Sequence, residues 1–203
     1  MNSFDIMRSG ALYTCADEAL AQKQQAQLEI LYDYNATRPS EGEKREKILR
    51  TFFAEMGKGC YFEPPLHANW GMNTHVGNFV YANFQLTLVD DTDIFIGDYT
   101  MLGPNVVLAT AGHPILPELR EKVMQFNMPV TIGKNVWLGA GVIVLPGVHI
   151  GDHSVIGAGS VVTKDIPENC VAFGTPCRVI RPISEHDRMY YYRDRKIDPS
   201  LFE

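Results

Sequence analysis

The sequence predicts a mainly β protein: a triangular solenoid of short parallel strands preceded by an α-helical segment. Three observations predict this fold class. Residues 1–59 show helical spacing of apolar residues, the chain from about residue 61 repeats every six residues, and an aliphatic residue followed by glycine recurs in that repeat. A strand repeats every two residues and a helix every 3.6, so a six-residue period with a recurring glycine indicates short strands joined by tight corners.

The first predicted helix follows a pair that resembles a capping box, Thr14 with Asp17 three residues later. It is expected to run from about Asp17 to Tyr34. Its inward face is predicted to consist of Leu20, Leu28, Leu31 and Tyr32.

The second predicted helix follows a closer match to the capping box, Ser40 with Glu43, and ends before Gly57. Its apolar face is expected to comprise Ile48, Leu49, Phe52, Phe53 and Met56. The two helices together make up the N-terminal segment 1–59. Because their apolar faces need a partner, we expect this segment to pack on the solenoid.

Residues 60–181 are predicted to form the solenoid. The repeat is unbroken at six successive lead positions: Ile132, Leu138, Val144, Ile150, Ile156 and Val162. The fourth position after a lead residue is small or β-branched, as at Thr100, Val106, Val136, Val142, Val148, Ser154 and Ser160. Three sides of six residues close a coil of about 18, which gives about six coils once the non-repeating loop 114–130 is set aside. Residues 182–203 form a C-terminal tail.

The composition excludes several classes of function. The 18 basic and 24 acidic side chains leave a net charge of −6 and a pI near 5.5, so the chain has no global attraction to nucleic acid or to an anionic membrane. The N-terminus has no apolar run of signal-peptide length, and the four cysteines show no disulfide or metal-type spacing. We expect a cytoplasmic protein with free thiols. Any anionic ligand would have to be bound by a local cluster of basic residues.

Several segments match one known family over nearly the whole chain. They are GALYTCADEAL, RPSEGEKREKIL, YANFQLTLVDD, TAGHPI, PVTIGKNVWLGAGVIVLPGVHIGD, SVIGAGSVVTKDIPENCVA, GTPCRVIRPI and DRMYYYRDRKI. The chain resembles the galactoside/maltose O-acetyltransferase family of hexapeptide-repeat acyltransferases. The resemblance implies a left-handed parallel β-helix, acetyl-CoA as co-substrate, a sugar acceptor, no metal, and a homotrimer with active sites between subunits.

The resemblance implies that His113 is the catalytic base and that Asn83 stabilises the transition state. A neutral imidazole suits removal of a hydroxyl proton, and an amide can donate to an oxyanion without competing for that proton. The alternatives are a structural histidine at the root of a loop and an asparagine that only satisfies a corner. No base lies beside a cysteine in a recognisable motif, so direct transfer is expected rather than an acetyl-enzyme.

The acceptor-binding residues implied by the resemblance are Asp17, Asn69, Asn83, Asp91, Met124 and Gln125. An ionised carboxylate such as Asp91 holds paired hydroxyls well, although a solvated acidic turn is the alternative. Asn69 stands where relatives have Ser or Asp. Cys15 aligns with the N-terminal acceptor aspartate of the family, and the nearest carboxylate, Asp17, fits a helix cap equally well. The identity of the sugar therefore stays open.

The coenzyme A groove implied by the resemblance involves seven residues: Trp137, Ala140, Ala158, Thr163, Lys164, Arg178 and Arg181. Small corner residues would let the pantetheine arm lie along the backbone. The protein is acidic overall, so it needs a local cationic cluster to bind the phosphates. This cluster would consist of Lys164, Arg178 and Arg181. The alternative is that these three residues form an ordinary solvated face.

Three rival functions remain at the sequence level. A γ-type carbonic anhydrase shares the solenoid and binds zinc through three histidines, but His149 and His153 lie four residues apart, which is less than one side of a coil. A non-catalytic β-helix scaffold would not need His113, Asn83 and the basic cluster together. A xenobiotic (antibiotic) acetyltransferase would use the same coil and base but usually lacks the N-terminal helices.

Overall fold

A computed structural model describes residues 2–202 and contains a β-solenoid of about six turns preceded by helices, which confirms the predicted fold class. The α-helices are α1 (Ser3–Met7), α2 (Glu18–Asn35), α3 (Gly42–Phe52), α4 (Pro117–Arg120) and α5 (Glu185–Met189), and a 3-10 turn covers Pro199–Phe202. Among the helices of this part of the chain, none combines the length and apolar character that a bilayer span requires.

The solenoid has three faces, each a ladder of parallel strands. Face one contains β2 (Glu55–Met56), β5 (Thr74–Val76), β8 (Ile94–Ile96), β13 (Val130–Ile132) and β16 (His149–Ile150). Face two contains β3 (Tyr61–Phe62), β6 (Tyr81–Ala82), β9 (Met101–Leu102), β14 (Trp137–Leu138), β17 (Val155–Ile156), β19 (Cys170–Gly174) and, antiparallel at its end, β20 (Cys177–Pro182). Face three contains β4 (His67–Ala68), β7 (Thr87–Val89), β10 (Val107–Ala109), β15 (Ile143–Val144) and β18 (Val161–Val162).

The chain runs from face one to face two to face three and back. We call the turns between them the first, second and third corners in that order. The third corner contains the irregularities of the repeat. It lengthens between Leu88 and Ile96, and between β10 and β13 it holds the whole of loop 114–130. The first parallel strand begins at Glu55, five residues before the position the sequence repeat indicates.

The interior of the solenoid is filled by the residues that the repeat identifies, and residues of α2 and α3 extend the same core. The lead aliphatics from Ile132 to Val162 are at most 1% exposed, and the fourth-position residues are buried with them, including the polar Thr100, Ser154 and Ser160. Thr100 Oγ1 donates to the carbonyl of Gly133 at 2.8 Å. Stacking therefore buries an apolar column and satisfies its polar corner groups, as burial requires.

We call each coil of the solenoid a rung. Where a glycine follows a lead aliphatic, it is required because the next rung approaches closely at that position. A Cβ placed on Gly139 would lie 2.6 Å from the backbone nitrogen of Ala158, and one on Gly103 would lie 2.7 Å from that of Ala140. Real Cβ atoms do not approach backbone this closely, so a side chain at these positions would separate the rungs.

Helix α2 matches its expected range, but α3 ends earlier than predicted, at Phe52, so that Phe53 is its C-cap and Met56 lies in strand β2. The caps and part of the buried face also differ from the prediction. Helix α2 is capped by Asp17 itself, whose Oδ1 accepts from Leu20 N at 2.9 Å, so Thr14 is not the N-cap. Helix α3 is preceded by Glu41 in the N-cap position, so the predicted Ser40 cap is also wrong.

The buried face of α2 is rotated relative to the prediction. Leu20 and Leu31 are buried as expected, whereas Leu28 is 43% and Tyr32 71% exposed. Tyr34 is buried instead and donates to the Phe62 carbonyl at 2.6 Å. Helix α3 packs as expected, with Leu49 and its aromatic neighbours in the main core.

A small antiparallel sheet ties the N-terminal segment to loop 114–130. Its strands are β1 (Tyr13–Thr14), β12 (Met124–Asn127) and β11 (Ala111–Gly112), in that order. The pairing sets Tyr13 opposite Gln125 and Ala111 opposite Asn127. This sheet was not predicted. Strands β21 (Tyr190–Tyr192) and β22 (Arg195–Lys196) form a hairpin in the tail.

Candidate active site

His113 follows β11 at the third corner, and its imidazole has a defined tautomer. Its Nδ1 lies 2.8 Å from the carbonyl oxygen of Met124 on the adjacent strand β12. A carbonyl oxygen only accepts, so Nδ1 must carry a proton, and in the neutral ring Nε2 keeps its lone pair. The side chain is exposed in the single chain. The hairpin β11–β12 thus presents an oriented base.

A polar cavity of about 270 Å³ opens at the same corner, between the N-terminal segment and the solenoid. Its walls include three of the predicted acceptor residues, Asn69, Asp91 and Gln125. Asn69 Nδ2 donates to Asp91 Oδ2 at 2.8 Å, and the Trp70 indole donates to Asp91 Oδ1 at 3.3 Å. Asp91 is 8% exposed, so its carboxylate is held in one orientation by two donors at the edge of a cavity.

Asp17 does not line this cavity, and the structure places Cys15 there instead. Both Asp17 oxygens are occupied, one by Leu20 N and the other by the hydroxyl of Ser3 at 2.6 Å. The hydrogen bond from Ser3, followed by that from Leu20, lowers the pKa of Asp17. Asp17 therefore caps helix α2 and lies outside the cavity lining, in contrast to its predicted place on the acceptor side, whereas the exposed Cys15 lines the cavity.

Met124 and Gln125 meet the site through different atoms. Met124 contributes its carbonyl oxygen, which orients His113. Gln125 is 7% exposed, and its amide nitrogen donates to the hydroxyl of Tyr13 at 2.8 Å. Loop 114–130 therefore contributes to the acceptor cavity of its own chain. Its tip is apolar and open, with Ile115 93% exposed.

Asn83 lies at the second corner, in a groove of about 410 Å³. The same groove is lined by Trp137, Ala140 and Ala158, three of the residues predicted to contact coenzyme A. Asn83 Oδ1 accepts from the Phe84 backbone at 2.7 Å, which fixes the amide. Within residues 2–202, Nδ2 of Asn83 has no acceptor, so both its N–H groups can donate to a ligand in the groove.

The groove is mostly apolar and follows successive rungs of face two. Besides the predicted residues, its walls include Tyr81 and Met101, which the sequence analysis did not identify. They lie on strands β6 and β9, in register with Trp137 on β14. Tyr81 and Met101 could have been predicted from sequence, because they occupy the same outward position of neighbouring rungs as Trp137.

The four remaining donor-side residues lie outside the groove lining, and one of them is already paired. Arg181 forms two hydrogen bonds, at 2.6 and 2.7 Å, to the two carboxylate oxygens of Asp187. This guanidinium holds the pKa of Asp187 well below its usual range. Arg181 of the predicted cationic cluster is thus paired within its own chain, whereas Lys164 and Arg178 form no ion pair within residues 2–202. Thr163 and Lys164 are exposed.

Other titratable groups do not assemble a metal site. Within residues 2–202, no three His, Cys, Asp or Glu side chains are placed as metal ligands. His149 lies on β16, whereas His153 lies at the first corner near Asn135, so the two histidines do not converge.

Face three separates the two cavities. His113, Asn69 and Asp91 lie at the third corner and Asn83 at the second, and the cavities share no lining residue. A side of five to six residues at about 3.3 Å each puts the corners roughly 16–20 Å apart. One chain therefore presents an imidazole and a polar cavity at one edge and an amide and an apolar groove at another.

Known proteins match both the helical segment and the solenoid of this chain. A bacterial transferase hexapeptide model of six repeats matches residues 129–164, and a maltose acetyltransferase hexapeptide capping motif matches residues 6–57. The galactoside O-acetyltransferase of Escherichia coli (strain K12) is 48% identical over 195 residues, 96% of each chain. That of Lactococcus lactis subsp. lactis (strain IL1403) is 51% identical over 203 residues, 100% of this chain and 98% of the relative.

A solved structure of a galactoside acetyltransferase in complex with coenzyme A superposes with a TM-score of 0.94 at 47% identity, covering 98% of this chain and 99% of the other. Solenoid, groove and repeat thus define a hexapeptide-repeat acetyltransferase. Within that class, the chain belongs to the galactoside/maltose O-acetyltransferase family.

Proposed function

We propose that this protein transfers the acetyl group of acetyl-CoA directly to a hydroxyl of a sugar, with His113 as general base. The observation that carries the proposal is the 2.8 Å contact between His113 Nδ1 and the Met124 carbonyl. It leaves Nε2 as the basic nitrogen at the corner that holds the polar cavity. Full-length relatives named galactoside O-acetyltransferase support the substrate class.

The chemistry needs one proton acceptor and one oxyanion donor. Nε2 of His113 removes the proton of the acceptor hydroxyl while its oxygen attacks the thioester carbonyl. The tetrahedral oxyanion is stabilised by the unpaired Nδ2 of Asn83. Collapse of the intermediate breaks the carbon–sulfur bond, and the imidazolium returns the proton to the thiolate of CoA. No covalent acetyl-enzyme forms in this scheme.

The two substrates use the two cavities. The acceptor lies in the polar cavity, where Asn69 and Trp70 hold Asp91 as a fixed acceptor of sugar hydroxyl protons. The pantetheine arm lies along the apolar groove between Trp137 and Ala158, and Lys164 and Arg178 contact the phosphates. Met124 and Gln125 complete the acceptor side.

We propose a homotrimer in which the third corner of one subunit meets the second corner of its neighbour. Within one chain the base and Asn83 lie on different corners, so a complete site requires two chains. A closed threefold arrangement supplies three equivalent sites. The exposed apolar tip of loop 114–130, with Ile115 and Leu116, is suited to contact the neighbour. Free thiols agree with a cytoplasmic enzyme.

An acceptor panel tests the proposed function. Release of CoA thiol from acetyl-CoA is measured with galactosides, maltose, glucose and an aminoglycoside as acceptors. We expect turnover with at least one sugar, and His113→Ala should lower kcat by about 10²- to 10⁴-fold with unchanged circular dichroism. His186→Ala, an exposed tail histidine, is the matched control and should retain wild-type kcat.

Two outcomes would contradict the proposal. Turnover of the antibiotic with none of the sugars would move the enzyme to a different substrate class. Near-normal turnover by folded His113→Ala would remove this residue from the mechanism.

A further inference from the structure

A buried hydrogen-bond network joins Tyr13, Gln125 and Asn127 beside the acceptor cavity. Gln125 Nε2 lies 2.8 Å from the Tyr13 hydroxyl and 2.9 Å from Asn127 Oδ1. Asn127 Nδ2 lies 3.1 Å from the same hydroxyl and 2.8 Å from the Met7 carbonyl oxygen. The three side chains are 6%, 7% and 0% exposed, respectively. Apart from Gln125, which completes the acceptor side, the proposed mechanism does not use this network.

The Met7 carbonyl fixes the direction of every bond in the network. It only accepts, so the Asn127 atom that faces it must be the amide nitrogen, and the other Asn127 atom must be the oxygen. That oxygen accepts from Gln125, so the Gln125 atom that faces it is also a nitrogen. Both amide nitrogens therefore donate to the Tyr13 hydroxyl.

A tyrosine hydroxyl has one proton and two lone pairs, and both lone pairs of Tyr13 are occupied by these amides. Its proton must point elsewhere, and within residues 2–202 no protein atom accepts it. Burial raises the pKa of Tyr13 to about 12, so the hydroxyl keeps its proton throughout the neutral range. The ring lines the acceptor cavity together with Asp91 and Gln125.

An unused donor on a side chain this deeply buried costs about 1–3 kcal/mol unless a ligand or water accepts it. Among the other polar groups of the cavity, the carboxylate of Asp91 can only accept. Asp91 therefore recognises sugar hydroxyls through their protons, whereas Tyr13 can recognise a sugar oxygen through its lone pair. The two side chains offer complementary contacts to a polyhydroxylated ring.

We propose that Tyr13 binds the acceptor sugar by donating its phenolic proton to one oxygen of the sugar. The assignment rests on the proposed function and deepens it, because it adds a specificity-determining residue to the acceptor cavity. Gln125 and Asn127 then act as positioning residues that hold the phenol with its proton directed away from them.

Tyr13→Phe tests the assignment, since phenylalanine keeps the ring and removes only the hydroxyl. We expect KM for the sugar to rise about 5- to 150-fold, the factor that a lost buried hydrogen bond of about 1–3 kcal/mol gives. KM for acetyl-CoA should stay within twofold. Tyr34→Phe is the matched control: it removes another buried phenol, which donates to the Phe62 carbonyl away from both cavities, and it should leave KM for the sugar unchanged.

A series of singly deoxygenated sugars separates binding from a structural effect. For the one analogue that lacks the contacted oxygen, wild type and Tyr13→Phe should show the same KM, while every other analogue keeps the penalty. A penalty of equal size with all analogues, or no penalty with any, overturns the assignment while wild-type turnover persists. Failure of the wild type to acetylate any sugar overturns the proposed function itself, and the role of Tyr13 with it.

Discussion

Two adjacent carboxylates at the third corner lie in opposite environments. Asp91 faces the acceptor cavity, whereas Asp90 is fully buried beneath it. Asp90 accepts from the Trp70 backbone at 2.9 Å and from the Thr74 hydroxyl at 3.0 Å. Burial raises the pKa of Asp90 to about 7. The two hydrogen bonds lower this pKa but offset only part of the effect of burial. Asp90 is thus a structural carboxylate, whereas Asp91 is placed to contact a ligand.

Asp90 makes the stability of the fold depend on pH. The folded chain keeps the Asp90 proton up to about pH 7, whereas the unfolded chain releases it near the ordinary aspartate pKa of 3.8, so stability decreases as pH rises through this window. Asp90→Asn cannot ionise. We expect the unfolding free energy of the variant, relative to wild type, to rise with pH by up to about 1.4 kcal/mol per pH unit between pH 4 and 7.

Chemical denaturation at fixed protein concentration across that range measures the difference. A difference between the two proteins that stays constant with pH would show that Asp90 is ionised in the folded state.

At the scale of the element, the rung is the unit that the sequence specifies. Each rung buries a lead aliphatic and lets the following glycine touch the next rung, so the period of the sequence is the period of burial. A Cβ on Gly97 would lie 2.6 Å from backbone atoms of both Gly133 and Lys134. The same rule holds at the first corner, which neither proposed binding cavity includes.

Gly97→Ala is therefore expected to separate two rungs and destabilise the fold by roughly 2–4 kcal/mol, the range of a disruptive packing change. For a chain of this size the melting temperature should fall by roughly 4–16 °C. Gly42→Ala is the matched control, because nothing lies within 4 Å of the added methyl and the position is helical. It should leave the melting temperature unchanged or raise it slightly. Equal melting temperatures for the two variants would contradict the close-approach argument.

The elements that the sequence did not predict are those formed by long-range pairing. The solenoid follows from a local repeat, so its core residues were identified position by position. The sheet of β1, β12 and β11 joins Tyr13 to Gln125, and neither two-residue β1 nor the loop carries a repeat. The observed cap of α2 differs from the predicted one because Thr14 and Asp17 are both favourable N-cap residues. Thr14 pairs with Met124 in an extended strand, which leaves Asp17 as the cap.

The candidate site divides in the same way. His113, Asn83, Asp91 and the groove residues could be predicted from sequence because the resemblance places them at corners of a known coil. Tyr13 could not be predicted, since its proposed role depends on bonds to two residues more than a hundred positions away. Arg181 differed because its pairing with Asp187 in the tail depends on the path of the chain after the last rung.

At the scale of the whole molecule, the central claim is that each active site is shared between two chains. One chain carries the proposed base with the polar cavity at the third corner, and the proposed oxyanion donor with the apolar groove at the second. The face between them is too wide for one sugar hydroxyl to reach both. Under the proposed function, association of copies is therefore part of the mechanism and not only of stability.

A subunit-mixing experiment tests this claim most directly. His113→Ala and Asn83→Ala chains, each nearly inactive alone, are co-expressed with different affinity tags, and trimers carrying both tags are purified. In a cyclic trimer of either mixed composition, one site of the three combines an intact His113 from one chain with an intact Asn83 from its neighbour. The account predicts recovery of about one third of the wild-type kcat per trimer. Doubly tagged trimers as inactive as the two parents, or a monomeric wild-type protein with full activity, would contradict it.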